Sequence, residues 1–444
     1  MATNDRCRQY SPVLMKKLLP IFMVMVSLVS CAPKEYTVKQ YINWNVLFTP
    51  TSSAVSREES MNQIERYIRD SIPSAIGAIV KGLDFRIDSI RRISCICDPL
   101  LVNITADIII DSSGGAVKIP PPPPPGPGAE GSSVAYIDDN DNINVTSLDN
   151  PFSKEKIPIK TPTKTEKLIL AIIDTGIDTT KFHSNLNGIL WGAPGSLRNF
   201  LPGSNPFDFF DDCAGRHGSA VAGIVTQQFG KIYPSLMILK ALDKNGVGSI
   251  FSVSCALSYA IENNADVINT SLGYYGSPDP ILKSYIDLAN YRSIGIVTAA
   301  GNTQGGHPVP LCRNSNNDGN HLTGSRLFFP ACFSDDADNL ITVTGLIDTL
   351  RPCFYQNFSD KYVSVGVMNV SVQPNCCAFQ VPFLRNLIEG SSFATPVISG
   401  KIGLMVLSSG RRSNAKSYLD AIGVLKLPSG AASSSIKNGH YIKY

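Results

Sequence analysis

The stretch Leu168-Ile-Leu-Ala-Ile-Ile-Asp-Thr-Gly-Ile-Asp178 joins an uninterrupted apolar run to a short polar turn. A run in which every residue is apolar is typical of a strand buried on both faces of a parallel sheet. Asp174 follows that run directly, and the carboxyl ends of parallel strands line the crevice in which active sites lie. The stretch therefore predicts a parallel sheet with a carboxylate at its functional edge.

After this stretch, apolar runs alternate with segments of helical periodicity. We predict further strands at 237–242, 267–270, 294–300, 340–345 and 362–367, and helices at 218–228, 249–263, 280–292 and 392–408. Such alternation indicates an α/β fold with a mostly parallel central sheet.

Two more motifs place a histidine and a serine in settings of small residues. They are His217-Gly-Ser-Ala-Val-Ala-Gly-Ile-Val225 and Gly390-Ser-Ser-Phe-Ala-Thr-Pro396. With Asp174 they give the order Asp, His, Ser, and the segment from about residue 166 to about residue 410 resembles the subtilisin-like serine peptidases, or subtilases. The resemblance implies a subtilisin-like three-layer fold and serine endopeptidase activity.

The resemblance also assigns the roles of a catalytic triad. Asp174 orients the ring of His217 and stabilises the imidazolium that forms, and His217 is the general base. Ser392 is the nucleophile at the positive end of an apolar helix. The neighbouring Ser391 is the competing hydroxyl, but the family pattern places the nucleophile at the second of the two positions.

Two segments between the triad motifs match supporting parts of the family pattern. Asn302 ends Ala299-Ala-Gly-Asn302, which in the family supplies the side-chain donor of the oxyanion hole. Ser271-Leu272-Gly273 matches the strand edge that pairs with substrate. Pairing of this kind recognises main chain, so we expect a peptide or protein substrate in extended form.

The chain departs from the family pattern at positions that carry no catalytic role. Ala220 replaces a usual His, and the usual Thr before it is Ser219. Ser391 and Phe393 replace Thr and Met. The segment 303–327 is an apparent insertion that begins beside Asn302 and could restrict access to the site.

Other functions remain as alternatives. A catalytically silent relative would bind peptides or partners on the same scaffold, and a structural surface lipoprotein would leave the triad unexplained. Asp174-Thr-Gly176 also matches the aspartic peptidase signature, but those enzymes need two such carboxylates and the motif occurs once. The net charge of +3 with 17 % charged residues gives no basic stripe for nucleic acid.

The N-terminus predicts export and anchoring. Met15-Lys-Lys opens a positive region, and the apolar run 18–29 is too short for a membrane span but suits a signal peptide. It ends at Leu28-Val-Ser-Cys31, which resembles a bacterial lipobox with Cys31 as the lipidated residue. We expect a signal peptide region at 1–30 with Met15 as the true start, and a lipid anchor that holds the protein in the bacterial cell envelope, at the outer membrane or periplasmic face.

The region between the anchor and the peptidase motifs divides into two parts. Residues 31–111 predict a small α+β module of β-α-β-β order, either pro-domain-like or a spacer, and residues 112–165 predict a Pro-rich polar linker with 120–125 all proline. The peptidase domain is expected at 166–430 and a C-terminal tail at 431–444.

Cysteine and acidic residues leave several options open. Of eleven cysteines, removal of Cys7 and Cys31 leaves nine, an odd number, so at least one thiol stays unpaired within a monomer. Candidate disulfides are Cys312 with Cys332, and Cys353 with Cys376 or Cys377. Candidate zinc ligands, without recognised spacing, are Cys95-x-Cys97 or the set His307, Cys312, His321 and Cys332. We expect no required cofactor, with structural calcium an option at Asp208, Asp211 and Asp212 or at Asp335, Asp336 and Asp338. The sequence does not set the oligomeric state.

Overall fold

The computed structural model describes a defined part of the chain. The described residues are 36–48, 62, 66, 69–70, 72–79, 84–98, 100–112, 134–139, 142–144, 163–182, 188–192, 195–303, 321–324, 326–347, 350–353, 355–368, 378–379, 381, 388–411, 414–427 and 435–444. The predicted signal peptide and Cys31 lie outside these residues.

In its described residues, the N-terminal module contains the helix α1 and an antiparallel sheet. Its elements are β1 (Tyr36–Phe48), α1 (Ile72–Ile79), β2 (Asp84–Ser94), β3 (Leu101–Ser112) and β4 (Val134–Asp139). The sheet order is β2-β3-β1-β4, so β4 comes from the segment predicted as linker. Trp44, Val46 and Val102 are buried on this sheet, whereas Leu101 belongs to a core shared with the α/β region.

The short strand β5 (Asn142–Asn144) follows the module and leads to the larger α/β region. Its further strands are β6 (Thr163–Asp174), β7 (Ile232–Lys240), β8 (Val247–Ser249), β9 (Val267–Thr270), β10 (Tyr274–Tyr275), β11 (Gly295–Ala299), β12 (Phe328–Phe329), β13 (Leu340–Leu346), β14 (Val365–Met368), β15 (Leu425–Lys426) and β16 (His440–Lys443). Its helices are α2 (His217–Gln227), α3 (Ile250–Glu262), α4 (Pro280–Tyr291), α5 (Ser391–Ser409) and α6 (Ala415–Ala421).

A central sheet organises this region. In the described part of the chain it has the order β15-β16-β14-β13-β11-β9-β6-β7, and its pairs are parallel except β15 with β16. From β6 the chain passes first to β7 and then back across β6 to β9. The strand order therefore reverses at β6, and crevices at such points hold ligands in open α/β sheets.

The strand β6 shows why an all-apolar run suits this position. Leu170 and Ile172 pack into one core with α2 and α5, whereas Ala171 and Ile173 pack into a second core with α3 and α4. Alternate side chains of one strand point to opposite faces, so helices cover both faces and the fold has three layers, as predicted.

Local sequence sets where the helices begin. The Ser249 hydroxyl accepts the Ser252 N–H and the Ser252 hydroxyl accepts the Ser249 N–H, which is a capping box at the start of α3. Asp279 caps α4, which has Pro280 in its first turn. Gly218 lets α2 approach β6 closely, because a Cβ there would clash with the Gly176 carbonyl.

The module packs on helices α3 and α4 of the α/β region. A disulfide joins Cys95, just after β2, to Cys255 in α3. The Tyr285 hydroxyl of α4 donates to Asp98 at 2.6 Å. Cys95 and Leu101 belong to the same buried core as Ala256 and Tyr259 of α3.

The strand β5 pairs with the α/β region instead of the module. It runs antiparallel to β8, with Ile143 opposite Gly248, and it also contacts β10. Residues just beyond the module thus extend along an edge of the larger region.

Most predicted elements of the α/β region are confirmed to within a few residues at each end. The predicted Cys312–Cys332 pair is wrong, because Cys332 is a free thiol. Cys353 is disulfide-bonded, and its predicted partners Cys376 and Cys377 lie outside the described residues, as does the predicted insertion over most of its length. Within the described residues, no helix combines the length and apolar character that a membrane crossing needs.

Candidate active site

The predicted site residues of the α/β region come together at the carboxyl edge of the sheet. Asp174 ends β6, the segment 271–273 follows β9, and Asn302 lies three residues after β11. His217 begins α2, and Ser392 is the second residue of α5. Because parallel strands end at one edge, residues far apart in sequence become neighbours.

Asp174 and His217 form a buried pair. Asp174 Oδ1 lies 2.8 Å from His217 Nδ1 and also accepts the Thr175 N–H at 2.7 Å. The side chains are 1 % and 0 % exposed, respectively. This bond sets His217 Nδ1 as the donor, so Nε2 is left to accept a proton. Nε2 is buried and has no hydrogen-bond partner among the described residues.

A second carboxylate, Asp211, fixes the backbone around this pair. Asp211 is fully buried and accepts the Thr175 hydroxyl at 2.9 Å. It also accepts the N–H and hydroxyl of Ser219 at 2.9 and 2.7 Å, and the Thr175 hydroxyl accepts the Gly218 N–H. Burial raises the pKa of Asp211, while the hydrogen bonds from Ser219 offset part of that rise. Asp211 was predicted only as a calcium ligand, so its positioning contact was missed.

Ser392 is bound reciprocally to the end of β9. Its hydroxyl donates to the Ser271 carbonyl at 3.0 Å, and the Ser271 hydroxyl donates to the Ser392 carbonyl at 2.8 Å. The second bond has a cause in the sequence. Pro396 lies inside α5 and has no N–H for the carbonyl four residues earlier. Ser271 supplies the missing donor.

Ser391 orients Asn302 and is not itself placed as a nucleophile. Its N–H and hydroxyl both donate to Asn302 Oδ1, at 3.1 and 3.2 Å, and its hydroxyl accepts the Gly301 N–H. With Oδ1 held in this way, Asn302 Nδ2 lies beside Gly390. The amide nitrogen is thus turned toward the N-terminus of α5, as an oxyanion donor requires.

Ser392 rests away from the histidine in this structure. Its hydroxyl bonds to Ser271, and the described residues include no bond from it to His217. The ring of Phe393 lies 5.1 Å from that of His217, centroid to centroid, so the start of α5 contacts the imidazole. Catalytic hydrogen bonds often tighten only when substrate binds.

The segment 271–273 forms one side of the cleft. Leu272 is buried, and Gly273 lies so close to Phe328 that a Cβ would clash with its ring. The Tyr275 hydroxyl donates to the Asn302 carbonyl at 2.9 Å, so this side of the cleft is joined to the residue predicted to bind the oxyanion. The strand β8 with its partner β5 lies on the other side.

Three of the acidic groups predicted for calcium have other partners in the structure. Asp211 uses its oxygens on Ser219 and Thr175, and Asp212 is paired with Lys240 at 2.7 Å. Asp335 is paired with Lys361 at 2.9 Å. An ammonium group beside a carboxylate opposes cation binding. Across the described ranges, the group with metal-ligating geometry is Cys95, Cys97 and Cys255, whose sulfur atoms lie within 4.8 Å of one another.

The triad order, the buried Asp174–His217 pair and the Asn302 contact agree with a match to known proteins. Residues 165–411 match the model of the subtilase family, peptidase family S8. The chain belongs to the subtilase family. Its central sheet and flanking helices form the subtilisin-like fold.

Curated relatives share this region. Subtilisin of Bacillus pumilus is 32 % identical over 254 residues, which cover 56 % of this chain and 79 % of that protein. Thermophilic serine proteinase of Bacillus sp. (strain AK1) is 27 % identical over 252 residues, covering 55 % and 53 %. Subtilisin amylosacchariticus of Bacillus subtilis subsp. amylosacchariticus is 29 % identical over 254 residues, covering 56 % and 57 %. The aligned part thus spans just over half the length of the latter two relatives.

Proposed function

We propose that this subtilase is an active serine endopeptidase in which Asp174, His217 and Ser392 form the triad. The observation that carries the proposal is the buried bond between Asp174 Oδ1 and His217 Nδ1 at 2.8 Å. It fixes the ring so that Nε2, which has no partner in the described structure, can take the serine proton.

The proposed reaction begins when the Ser392 hydroxyl turns from the Ser271 carbonyl to His217 Nε2. Ser392 Oγ attacks the substrate carbonyl carbon while its proton passes to His217, and Asp174 stabilises the imidazolium. The oxyanion would be bound by Asn302 Nδ2 and by the Ser392 N–H. That N–H belongs to the first turn of α5, where no helical carbonyl can accept it. His217 then gives its proton to the leaving amine, and water completes the hydrolysis.

The proposed substrate is an extended peptide or protein segment. Such a segment would pair with the main chain of Ser271, Leu272 and Gly273. Support comes from β5, residues 142–144 of the chain itself, which pair with β8 and contact β10 on the two sides of the cleft. A foreign peptide in the same place would replace an existing strand pairing.

The test is labelling of the full chain with a fluorophosphonate, followed by peptide mass spectrometry. We expect one adduct on Ser392, none in a Ser392→Ala variant, and a retained adduct in the matched Ser391→Ala variant. A folded protein that is not labelled and does not hydrolyse casein would favour the alternative, a silent subtilase that binds peptides or partners.

We also propose that the N-terminal module is a pro-domain that restrains the enzyme. It packs on α3 and α4, and β5 then enters the cleft region. Cleavage within 145–162, after β5, would separate the module from the peptidase domain in sequence. We expect residues 32–144, added to active peptidase domain, to slow hydrolysis. No slowing at high micromolar concentration, with normal folding of a chain that starts near residue 160, would make the module a spacer.

Anchoring is proposed from the sequence at Cys31. The motif Leu28-Val-Ser-Cys31 follows an apolar run of signal-peptide length, so we propose a lipid-anchored protein of the bacterial cell envelope. The wild type should partition with membranes and detergent, and Cys31→Ala should stay unprocessed or become soluble. If every mature molecule begins well downstream of Cys31, a permanent lipid anchor is excluded.

A further inference from the structure

Three cysteines meet where the N-terminal module contacts the peptidase domain. Cys95 is bonded to Cys255 across a separation of 160 residues. Cys97 is a free thiol, and its sulfur lies 3.3 Å from Cys95 Sγ and 3.2 Å from the Cys255 carbonyl oxygen. The disulfide crosses from one domain to the other, and the third sulfur lies within the module beside it.

We propose that Cys95, Cys97 and Cys255 form a thiol–disulfide switch that controls whether the module stays on the peptidase domain. The closed form is the Cys95–Cys255 disulfide that the structure contains. The open form is a Cys95–Cys97 disulfide, which lies wholly within the module and leaves Cys255 as a free thiol.

The exchange balances without an added oxidant or reductant. Cys97 releases its proton to water, and its thiolate attacks Cys95 Sγ. The Cys95–Cys97 bond forms as the Cys95–Cys255 bond breaks, and Cys255 leaves as a thiolate and takes up a proton. One disulfide and one thiol are present before and after.

The surroundings of Cys97 keep the closed form in place while the module is seated. Burial, with Asp98 nearby, raises the pKa of Cys97 to about 12, and the thiolate is the attacking species. Asp98 in turn accepts the Tyr285 hydroxyl at 2.6 Å, which holds this corner of the module on α4. Loosening of that contact would expose Cys97 and restore its reactivity.

The consequence concerns the fate of the module after the chain is cut. A cut between the module and residue 163 would not release a module that is bonded to Cys255. The module would remain at an effective concentration far above that of a free fragment. This regulatory meaning rests on the proposed peptidase function, whereas the covalent switch itself does not.

The switch is testable in the full chain with Ser392→Ala and a specific protease site inserted within residues 145–162, between β5 and β6. After the cut, we expect the two fragments to migrate together on a denaturing gel without reductant and apart with it. The Cys255→Ser variant should separate in both lanes, and the matched Cys332→Ser variant should behave like the parent. Because Ser392→Ala removes hydrolysis, a failure of the proposed activity cannot affect this result.

The exchange is tested by brief exposure of the cut protein to moderate urea without reductant, followed by trapping with N-ethylmaleimide. We expect the parent fragments to separate and the adduct to move from Cys97 to Cys255, whereas Cys97→Ser fragments stay joined. Equal separation of parent and Cys97→Ser, or no separation of either, would overturn the switch. Three alkylated cysteines with one zinc or copper ion per chain would overturn it in favour of a metal centre.

Discussion

The bond from Ser271 to the Ser392 carbonyl should be coupled energetically to Pro396. Pro396 has no N–H for the carbonyl four residues earlier, and the Ser271 hydroxyl donates to that carbonyl at 2.8 Å. In Pro396→Ala, the new N–H can bond the same carbonyl within α5. The cost of Ser271→Ala should therefore depend on which residue is at position 396.

The expected magnitudes follow from the contacts. With Pro396 present, Ser271→Ala leaves a buried carbonyl without its donor, at a cost of about 1–3 kcal/mol. It also removes the acceptor of the Asn269 amide, which donates to Ser271 Oγ at 3.0 Å. In the Pro396→Ala background only that second loss remains, so the cost falls to about 0.5–1.5 kcal/mol. The coupling free energy is the difference between the two costs, which is the loss at the carbonyl alone, about 1–3 kcal/mol.

The assay is urea unfolding of the four proteins of the cycle, each carrying Ser392→Ala to prevent self-digestion. A matched control is Ser252→Ala. Ser252 lies in α3, away from α5, and its buried hydroxyl donates to the Ala241 carbonyl. Its cost should be the same in both backgrounds. A Ser271→Ala cost that agrees between backgrounds to within about 0.3 kcal/mol would show additivity and refute the assigned role of Pro396.

Further expectations concern the residues around the triad. Asn302→Ala should lower kcat about 10²–10³-fold with KM nearly unchanged. Asn302→Asp keeps the acceptor for Ser391, so it should lose kcat but retain the stability that Asn302→Ala loses. A kcat of Asn302→Ala within threefold of wild type would exclude the oxyanion role. Burial raises the pKa of Asp211, so its contribution to stability is full below about pH 3.9 and is lost as the pH rises through the folded-state pKa. The free energy of unfolding of wild type minus that of Asp211→Asn should therefore fall as the pH rises from about 4, and urea unfolding that shows the difference rising would contradict this. Phe393→Ala removes a ring 5.1 Å from that of His217 and should lower kcat more than it raises KM, with partial recovery in Phe393→Met, as steady-state kinetics would show; full activity in Phe393→Ala would refute a positioning role.

The α/β fold could be predicted because its strands are buried on both faces. Such strands leave runs like 168–173 and 294–300 in the sequence, and the helices between them carry small residues where they approach the sheet. The strand β16 was not predicted, since its four residues His440–Lys443 carry no such run. It enters the sheet through pairing with β14, which is a tertiary contact.

The meeting of Asp174, His217 and Ser392 at one edge of the sheet could be predicted because each of them lies in a motif of local sequence. The supporting contacts could not, because they join residues whose proximity depends on the finished fold. Asp211 was singled out as an acidic residue, yet only the structure shows that both its oxygens are taken by Thr175 and Ser219. Cysteine pairing has the same limit: the bond from Cys95 to Cys255 exists because the module packs on α3, and spacing gives no sign of it.

The position of β5 connects the module to the chemistry of the cleft. A segment that pairs with β8 must be extended, and an extended chain is the form in which peptidases bind their substrates. Ile143 lies opposite Gly248, and the pairing continues from Asn142 with Ser249 to Asn144 with Val247. The chain thus presents its own backbone to the edge that a substrate would use. Under the proposed function, another peptide could pair along this edge only after β5 leaves it, so a chain without residues 142–144 should bind an extended peptide more tightly than the full chain does.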